Sequence, residues 1–258
     1  MDLELVGLRV LVTAGAAGIG LEIARAFRRE GARVHVSDVD EAALAALGTS
    51  DPEMTCSRGD VASRPDVRRV FDEALAALGG LDVLVNNAGV AGPTGRVEDI
   101  DPEDWDRCLD VCITGQFNCT RLAVPHLRES RNASIVNLSS AAGRFGFPLR
   151  TPYAAAKWAV VGFTKSLSRE LGDAGIRVNA ILPGIVAGDR QRRVLEAKAQ
   201  QRGVPFAEME QAALANASLK EYVTAEQLAD QILFLCSPRG RTISGQAIAV
   251  DGDLQMLA

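Results

Sequence analysis

The chain has 258 residues, of which 47% are hydrophobic and 24% are charged, and its formal net charge at pH 7 is −5. This length suits one α/β domain around a single core, and the negative charge disfavours a nucleic-acid partner, because nucleic-acid binding depends on clustered Lys and Arg. No run of about 18 apolar residues predicts a span across a membrane.

Short β-branched segments alternate along the chain with longer amphipathic segments, as in βαβ units. In chain order the first half predicts strand Leu8–Thr13, helix Gly18–Glu30, strand Arg33–Ser37, helix Glu41–Leu47, strand Met54–Ser57, helix Arg64–Leu78 and strand Asp82–Val85. The second half predicts one long helix from Asp101 to Arg128, strand Ser134–Ser139, helix Pro152–Leu171, strand Arg177–Leu182, helix Thr224–Cys236 and strand Gln246–Val250. The prediction is therefore an α/β fold with a doubly wound, Rossmann-like parallel sheet in a single domain, residues 1–258.

The region from about 185 to 223 interrupts this alternation. It is charged and helix-prone, and it is too long for an ordinary connection between a strand and a helix. We interpret it as a helical substrate flap, since long insertions in compact domains tend to form lids or binding loops. A solvated surface excursion without function is the alternative.

A glycine-rich turn follows the first predicted strand and opens the first predicted helix. It reads Thr-Ala-Gly-Ala-Ala-Gly-Ile-Gly over residues 13–20 and includes Gly15, Gly18 and Ile19. Glycine allows a tight turn and close approach to a pyrophosphate, whose charge is favoured by the free N–H groups at a helix N-terminus. The context of strand, turn and helix therefore predicts a dinucleotide site.

The second predicted strand ends in Asp38, about twenty residues beyond the glycine turn. A carboxylate at this place accepts hydrogen bonds from both ribose hydroxyls of NAD and repels the additional phosphate of NADP. No Arg or Lys lies in the glycine turn or directly after Asp38. We therefore predict NAD as the cofactor, with the alternative that Asp38 is a helix or turn cap before Asp40 and Glu41.

Two further short motifs close predicted strands. Gly59-Asp60-Val61 ends the third strand and Asn86-Asn87-Ala88-Gly89 ends the fourth. Ligands of doubly wound sheets bind at the carboxyl ends of the strands, so both motifs are candidates for cofactor contact. Taken singly, either motif is also typical of an ordinary turn.

Tyr153 and Lys157 lie four residues apart at the start of a predicted helix, so their side chains share one face. Reduction of a ketone needs a proton donor, and oxidation of an alcohol needs a base. A phenol titrates near pH ~10, and a cationic neighbour such as Lys157 would favour its ionised form. Ser140, just beyond a predicted strand, is placed to donate a hydrogen bond to the carbonyl oxygen. Each of these residues alone is more typical of a surface pair or a strand end.

Taken together and in this order, the motifs resemble those of the short-chain dehydrogenase/reductase family along nearly the whole chain. The matching segments are the glycine turn, Asp60-Val61, Asn86–Gly89, Ser140, Tyr153-Ala-Ala-Ala-Lys157, Pro183-Gly184, Ser244-Gly245-Gln246 and Val250-Asp251-Gly252. The resemblance implies an oxidoreductase that moves a hydride between NAD(H) and a small-molecule alcohol or carbonyl substrate, commonly as a homotetramer.

The resemblance also implies roles for individual residues. Ser140, Tyr153 and Lys157 would be catalytic, and Lys157 would contact the nicotinamide ribose. The residues expected around the cofactor are Gly15, Gly18, Ile19, Asp38, Asp60, Val61, Asn87, Gly89, Tyr153, Lys157, Pro183 and Val186. Among them, Asp60, Val61 and Asn87 would lie around the adenosine half.

Three positions depart from the family pattern. Ala14 stands where the first glycine is usual, and we expect the neighbouring Gly15 to supply the permissive turn. Cys112 replaces an asparagine that holds a water next to the lysine, and a thiol is a weak donor and acceptor. Gly188 replaces a threonine that binds the nicotinamide carboxamide. We expect a slower but real reaction.

The substrate pocket is expected between residues 91–96, residues 141–150 and the flap. These segments carry several arginines: Arg96, Arg144, Arg150, Arg190, Arg192 and Arg193. A substrate with a carboxylate, sulfonate or phosphate would suit guanidinium groups, and solvated helix arginines are the alternative explanation. Two rival functions also stay open, a 3-oxoacyl carrier reductase and a nucleotide-sensing protein with weak catalysis.

Location and self-association complete the expectations. The five cysteines form an odd set without a CxxC pair or neighbouring histidines, which predicts no metal site and favours a reducing, cytoplasmic setting. The first ten residues carry acids where a secretory signal would carry bases. The predicted helices over 105–121 and 152–171 carry apolar residues on more than one face, which predicts a homo-oligomer.

Overall fold

The structure, a computed structural model, describes residues 2–255, and of Arg190 it describes only the backbone. The strands are β1 Arg9–Thr13, β2 Arg33–Asp38, β3 Thr55–Arg58, β4 Val83–Asn86, β5 Ser134–Leu138, β6 Arg177–Pro183 and β7 Ala247–Val250. The helices are α1 Gly18–Arg29, α2 Glu41–Ser50, α3 Arg64–Leu78, α4 Pro102–Leu109, α5 Gly115–Leu127, α6 Thr151–Leu171, α7 Asp189–Arg202, α8 Phe206–Ala215 and α9 Ala225–Cys236.

The strands form one parallel sheet in the order β3-β2-β1-β4-β5-β6-β7. The chain builds the sheet outward from β1 to β3, then crosses back and continues in the other direction from β4. This reversal between β1 and β4 opens a crevice at the carboxyl ends of both strands, where ligands of such sheets bind. The predicted fold class, a doubly wound Rossmann-like sheet in a single domain, is confirmed.

Two apolar layers hold helices against the two faces of the sheet. Along β1, Val10 and Val12 face α1, α2 and α9, whereas Leu11 between them faces α3, α5 and α6. All three are fully buried, as is Phe27 of α1. Burial of each such side chain contributes roughly 1.5–3 kcal/mol, so both layers fix the sheet that carries the crevice.

The predicted long helix from Asp101 to Arg128 is wrong in one respect. The chain is α-helical over α4 and α5, but Asp110–Thr114 between them form a π-helical turn. The α5 backbone lies very close to the end of β3, because a side-chain carbon added at Gly115 would lie 2.6 Å from Cγ2 of Val61. The wider turn accommodates one more residue per turn, and such turns are frequent at functional sites.

The segment predicted as a flap contains α7 and α8, which pack on each other through Leu195, Ala199 and Met209. Its two ends meet in a parallel bridge between Val186 and Val223, and its last part pairs with the segment after β7 through Ala217 and Leu254. Within residues 2–255, no helix is both long and apolar enough to cross a membrane.

Candidate active site

The glycine turn is held against the end of β4 by hydrogen bonds that join Thr13 and Ala14 to Asn87 and Ala88. The hydroxyl oxygen of Thr13 accepts from the backbone N–H groups of Asn87 (3.0 Å) and Ala88 (3.1 Å). In return, Nδ2 of Asn87 donates to the carbonyl oxygens of Thr13 (3.0 Å) and Ala14 (2.9 Å). The predicted residue Asn87 therefore shapes the turn, and Thr13, which the sequence analysis did not single out, is its partner.

The permissive residue of the turn is Ala14 and not Gly15, contrary to the sequence-based expectation. Ala14 has φ +49° and Gly18 has φ +54°, both in the left-handed region that favours glycine. Gly15 serves close packing instead, since an added side-chain carbon would lie 3.0 Å from Cγ1 of Val36. A side chain at Gly20 would overlap Asn87, so α1 approaches the end of β4 closely. Ile19 lies half-buried in the first turn of α1, against the core.

Asp38 faces the glycine turn. One of its carboxylate oxygens accepts from the backbone N–H of Ala16 at 3.2 Å, and the other accepts from Asp40 N–H at 3.2 Å. The N-terminus of α2 is capped by Asp40, whose side chain accepts from the N–H groups of Ala42 and Ala43. Asp40 is therefore the helix cap, whereas the hydrogen bond that Asp38 accepts from Asp40 N–H caps the turn before the helix.

An arginine that the sequence analysis missed lies beside Asp38 in the sheet. Arg58 is its register partner across the β2–β3 pair, and its Nε lies 3.1 Å from a carboxylate oxygen of Glu41. The side chain is largely exposed. Sequence distance hid this neighbour, because only the parallel pairing of β2 and β3 brings the two residues together.

The motif at the end of β3 is tied to α4 and α5. The Asp60 carboxylate accepts from Ala62 N–H at 2.9 Å and forms an ion pair with Arg107 at 2.9 Å. The carbonyl oxygen of Val61 accepts from Nδ2 of Asn118 at 3.0 Å. These contacts hold the motif at the sheet edge beside the crevice.

Tyr153 and Lys157 lie together in the first turns of α6. The ammonium nitrogen of Lys157 is 5.5 Å from the ring centroid of Tyr153 and donates a hydrogen bond to the carbonyl oxygen of Leu138 at 2.7 Å. The lysine is only 3% exposed. A side-chain carbon added at Gly89 would lie 3.4 Å from this nitrogen. The backbone after β4 therefore lies next to the ammonium group of Lys157, so one ligand could contact both.

The two serines that follow β5 have different roles. The hydroxyl of buried Ser139 donates to the carbonyl oxygen of Lys157 at 2.7 Å, which anchors α6 to the sheet. Ser140 is half-buried and begins a short 3₁₀-helix, where its hydroxyl accepts from Ala142 N–H at 3.2 Å. Since Ser139 holds α6, Ser140 is the serine that remains as the candidate for substrate contact.

Cys112 lies in the π-helical turn and is fully buried. Its thiol donates weakly to the carbonyl oxygen of Val90 at 3.5 Å, and it packs with Cys108 and Ala156. The hydrogen bond with Cys112, together with burial, raises the pKa of the Cys108 thiol. A side-chain carbon at Gly89 would lie 3.6 Å from the Cys112 sulfur, so this residue borders the same backbone as Lys157.

The end of β6 leads into the flap. Pro183 is its last residue, and Gly184 packs so closely that an added side-chain carbon would lie 2.6 Å from Cα of Asp251. Val186 pairs with Val223 at the base of the flap. Gly188 precedes α7 with φ +136°, a conformation that residues with a side chain rarely adopt. A threonine in this backbone conformation would be strained.

A cavity of about 470 Å³ lies between the loop after β4 and helix α7. Its lining residues are Gly89, Val90, Ala91, Gly92, Thr94, Arg193, Val194 and Ala197. An adjoining cavity of about 380 Å³ shares Thr94 and Ala197 and extends to Gln200 and Gln201. The cleft thus runs from the backbone beside Lys157 outward along the flap.

The arginines that the sequence analysis placed around the pocket differ in their contacts. Arg144 forms an ion pair with buried Asp251 at 3.1 Å, so it belongs to the protein's own structure. Arg96 and Arg192 lie at the surface near carboxylates. Arg150 is buried beside Tyr153 and Arg193 lines the cavity. The side chain of Arg190 lies outside the described part.

The crevice fits a dinucleotide by its own chemistry. It offers a glycine turn at a helix N-terminus, a carboxylate beside that turn, and a buried ammonium group next to a phenol. In the described part of the chain, no group of three or more His, Cys, Asp or Glu side chains is arranged to hold a metal ion.

Comparisons with known proteins agree with this geometry. The sequence profile described as enoyl-(acyl carrier protein) reductase matches residues 14–254. The chain is 35% identical to the 3-oxoacyl-[acyl-carrier-protein] reductase FabG of Thermotoga maritima, over 98% of this chain and 99% of that protein. The fold is similar to actinorhodin polyketide ketoreductase with NADPH (TM-score 0.88, 33% identity, 94% and 95% of the two chains) and to NAD+-bound xylitol dehydrogenase (0.92, 25%, 96% and 99%). The chain therefore belongs to the short-chain dehydrogenase/reductase family and is an oxidoreductase that acts on alcohol or carbonyl groups.

Proposed function

We propose that this protein is an NAD(H)-dependent oxidoreductase of secondary alcohols and ketones with Tyr153 as its acid and base. The observation that carries the proposal is the position of the Lys157 ammonium group, buried and 5.5 Å from the centre of the Tyr153 ring. When bound, the nicotinamide accepts or supplies the hydride. Tyr153 takes the proton from the alcohol or gives it to the carbonyl oxygen, and the charge of Lys157 favours the phenolate. Ser140 donates a hydrogen bond to the same oxygen.

The preference for NAD over NADP is part of the proposal. Asp38 supports it, because a carboxylate next to the glycine turn accepts ribose hydroxyls and repels an additional phosphate. Arg58 is the opposing observation, since an exposed guanidinium on the adjacent strand could pair with that phosphate. We favour NAD because Arg58 already lies against the carboxylate of Glu41, whereas Asp38 meets the turn directly.

We propose cofactor contacts for the remaining residues of the predicted site because of their positions around the crevice. The glycine turn with Gly15, Gly18 and Ile19 would receive the pyrophosphate at the start of α1. The ends of β3 and β4 would border the adenosine half and the ribose through Asp60, Val61, Asn87 and Gly89. Pro183 and Val186 would border the nicotinamide at the base of the flap.

The activity is tested by following NADH formation with a panel of secondary alcohols, and NADH consumption with the matching ketones. We expect turnover that Tyr153→Phe abolishes, because the variant keeps the ring that stacks near Lys157 but has no proton to transfer. Ser140→Ala should lower kcat on the order of 100-fold through loss of one oxyanion donor. A folded wild-type protein that binds NADH and reduces none of the panel would contradict the proposal.

Two other functions stay in view. The identity of 35% to FabG favours a 3-oxoacyl reductase, and preferential reduction of a 3-oxoacyl thioester over simple ketones would identify it. Cys112 and Gly188 favour a nucleotide-sensing protein, which would bind NADH tightly without turnover. The alcohol and ketone panel, extended by a 3-oxoacyl thioester, separates all three, because each function predicts a different set of reactive compounds.

We also propose a homo-oligomer in the cytoplasm. Trp158 of α6 is 51% exposed and Phe117 of α5 is 44% exposed, and large apolar side chains at a surface support contact with another subunit. All five cysteines are free thiols, which supports a reducing compartment. Sedimentation of the wild type beside Trp158→Glu would test the association, since a charge at an interface should favour the monomer.

A further inference from the structure

A buried guanidinium group lies next to the proposed acid and base. Arg150 is only 3% exposed, and its central carbon is 4.9 Å from the ring centroid of Tyr153 and 5.5 Å from that of Phe147. It donates a hydrogen bond to the carbonyl oxygen of Ala91, a residue that lines the larger cavity. Arg150 directly precedes α6, three residues before Tyr153, and through Ala91 it contacts the loop that lines the cleft.

A second cation reaches the same aromatic ring from the flap. The ammonium nitrogen of Lys198 in α7 is 4.2 Å from the ring centroid of Phe147. Burial, followed by the positive charges of Arg150 and Arg202, lowers the pKa of Lys198 to about 8. Burial is the larger cause and the two neighbouring positive charges add to it, so a bound negative charge would favour the protonated lysine.

The acids near this cleft are few. Neither cavity is lined by an Asp or Glu, whereas Arg193 lines the larger one. Glu196 of α7 pairs with Arg192 at the surface, and no ion pair joins Lys198 to a carboxylate in the described residues. The lining of the cleft therefore includes the cation Arg193 and no carboxylate, and it also includes Ala91, which accepts a hydrogen bond from Arg150, and Ala197, which precedes Lys198.

We propose that Arg150 and Lys198 form a binding site for an anionic oxyacid group, so that the substrate is a ketone or alcohol that also carries a carboxylate or sulfonate. The inference rests on the proposed function and adds a substrate class to it. A guanidinium and an ammonium group that both contact the Phe147 ring provide a fork and a point charge, and the two together would bind an oxyanion. Phe147 would pack against the carbon chain between the anion and the reacting carbon.

The contacts of both cations argue against a role toward the dinucleotide. Arg150 contacts Tyr153 and Ala91, and Lys198 contacts the same Phe147 ring as Arg150, so both cations lie near the proposed acid and base. The pyrophosphate would lie instead at the glycine turn before α1. A purely structural role, in which the two cations only stack on Phe147, is the competing explanation and predicts no selectivity for charged substrates.

The first test uses substrates that differ only in charge. Methyl ketones with one to four methylene groups between the carbonyl and a carboxylate are compared with their methyl esters and with the corresponding sulfonates. We expect the acids or the sulfonates to have the lower KM, and the comparison of the two series identifies which oxyanion fits. Lys198→Gln should raise the KM of the preferred anionic series on the order of tenfold more than that of the esters. Lys220→Gln, at an exposed lysine outside the cleft, should leave the ratio unchanged.

The second test does not depend on turnover. Pentanoate and butanesulfonate, which the protein has no means to reduce, are titrated calorimetrically at pH 8 in two buffers of different ionisation heat. We expect binding with proton uptake in the wild type, because an anion completes the protonation of Lys198, and weaker binding without that uptake in Lys198→Gln. If the ketone panel is unreactive but these anions bind, the proposed function fails and the anion site stands. Esters used as well as acids, or anion binding that Lys198→Gln leaves unchanged, would overturn the site.

Discussion

Arg144 and Asp251 join the loop after β5 to the segment after β7 through an ion pair of 3.1 Å, in which the carboxylate side chain is 4% exposed. The same nitrogen, Nη2 of Arg144, donates a hydrogen bond to the carbonyl oxygen of Leu254 at 2.8 Å. The loop carries Ser140, and the segment after β7 pairs with the end of the flap. One arginine therefore connects the proposed oxyanion donor with the wall of the substrate cleft.

The first prediction concerns this connection. Arg144→Gln should lower the free energy of unfolding by about 2 kcal/mol, because it leaves a buried carboxylate without its counter-charge. The variant should also have a higher KM, since the flap loses a support. Denaturant unfolding and steady-state kinetics measure both effects.

Arg96→Gln is the matched control, because the ion pair of Arg96 with Glu98 is 4.0 Å long and both side chains are exposed. Its cost should stay below about 0.5 kcal/mol. In the double variant Arg144→Gln with Asp251→Asn, much of the loss should be recovered. A loss in the double variant equal to the sum of the two single losses would show that the ion pair carries no coupling.

The second prediction concerns the strained alanine in the glycine turn. Ala14→Gly should raise the free energy of unfolding by about 1 kcal/mol, because a φ of +49° strains the backbone of an alanine and does not strain that of a glycine. For a chain of this size, that gain corresponds to a rise in Tm of roughly 2–4 °C. Gly18→Ala, the converse change at φ +54° with no atom near the added carbon, should lower Tm by a similar amount. Equal Tm values for Ala14→Gly and the wild type would contradict the strain.

The third prediction concerns cofactor choice at Asp38. Asp38→Asn should weaken NADH binding on the order of tenfold and narrow the difference between NADH and NADPH, because the amide removes both the charge and one strong acceptor. Adding Arg58→Gln should weaken NADPH binding again if that guanidinium pairs with the phosphate. Fluorescence titration with each cofactor gives the dissociation constants.

Asp40→Asn serves as the control for the helix. It changes the cap of α2, so it should lower stability by up to about 1 kcal/mol and leave the preference between the cofactors unchanged. A cofactor preference that follows Asp40 rather than Asp38 would refute our assignment.

The fourth prediction concerns pH and stability. His35 of β2 is buried, with its ring nitrogens bonded to the hydroxyls of Thr55 and Ser57 at 2.8 Å and 2.9 Å. Desolvation lowers the pKa of His35 from 6.5 to about 4, although the nearby charge of Glu73 raises it. The folded state therefore favours neutral histidine. Below pH 6.5 the unfolded chain binds the proton first, and stability falls as the pH drops toward 4.

The loss that His35 causes should amount to at most about 3 kcal/mol. Urea unfolding at pH 7, 6, 5 and 4 gives the free energy of unfolding of the wild type and of His35→Gln. The variant should be less stable at pH 7 and should lack the part of the loss at low pH that His35 causes. His126→Gln, at the other histidine, should keep the wild-type slope. Identical pH dependence in His35→Gln and the wild type would exclude His35 as the cause.

The sequence predicted what depends on local signals. The bounds of α3 are as predicted, because Ser63 caps its start, Pro65 lies in its first turn and Gly79 ends it with φ +76°. Periodicity also predicted the order of strands and helices, which fixes the crevice. Contacts between distant segments were missed, since no local signal marks Thr13 as the partner of Asn87 or Arg58 as the neighbour of Asp38.

Conformation was the second limit of sequence reasoning. The residues of the π-helical turn, Asp110–Thr114, do not differ in type from those of an ordinary α-helix, so the sequence does not mark the turn. The turn lies where α5 packs against Val61 at Gly115. The assignment of the permissive turn to Gly15 failed for a similar reason. A glycine is needed at position 15 because the backbone there packs closely against Val36, and the residue with the left-handed φ is Ala14.

The last prediction concerns Cys112, which stands in the π-helical turn where an asparagine is usual in the family. Cys112→Asn should leave kcat equal to the wild type or raise it, because an amide that donates to Val90 and accepts from a water improves the proton path beside Lys157. The amide enters a packed cluster with Cys108 and Ala156, so we expect a cost in stability of about 1–2 kcal/mol. Cys119 is a buried cysteine of α5 in the apolar layer that contains Leu11. Cys119→Ser should lower stability by a similar amount and should not raise kcat. A folded Cys112→Asn variant that binds NADH as the wild type does and has no activity would count against this account of the proton path.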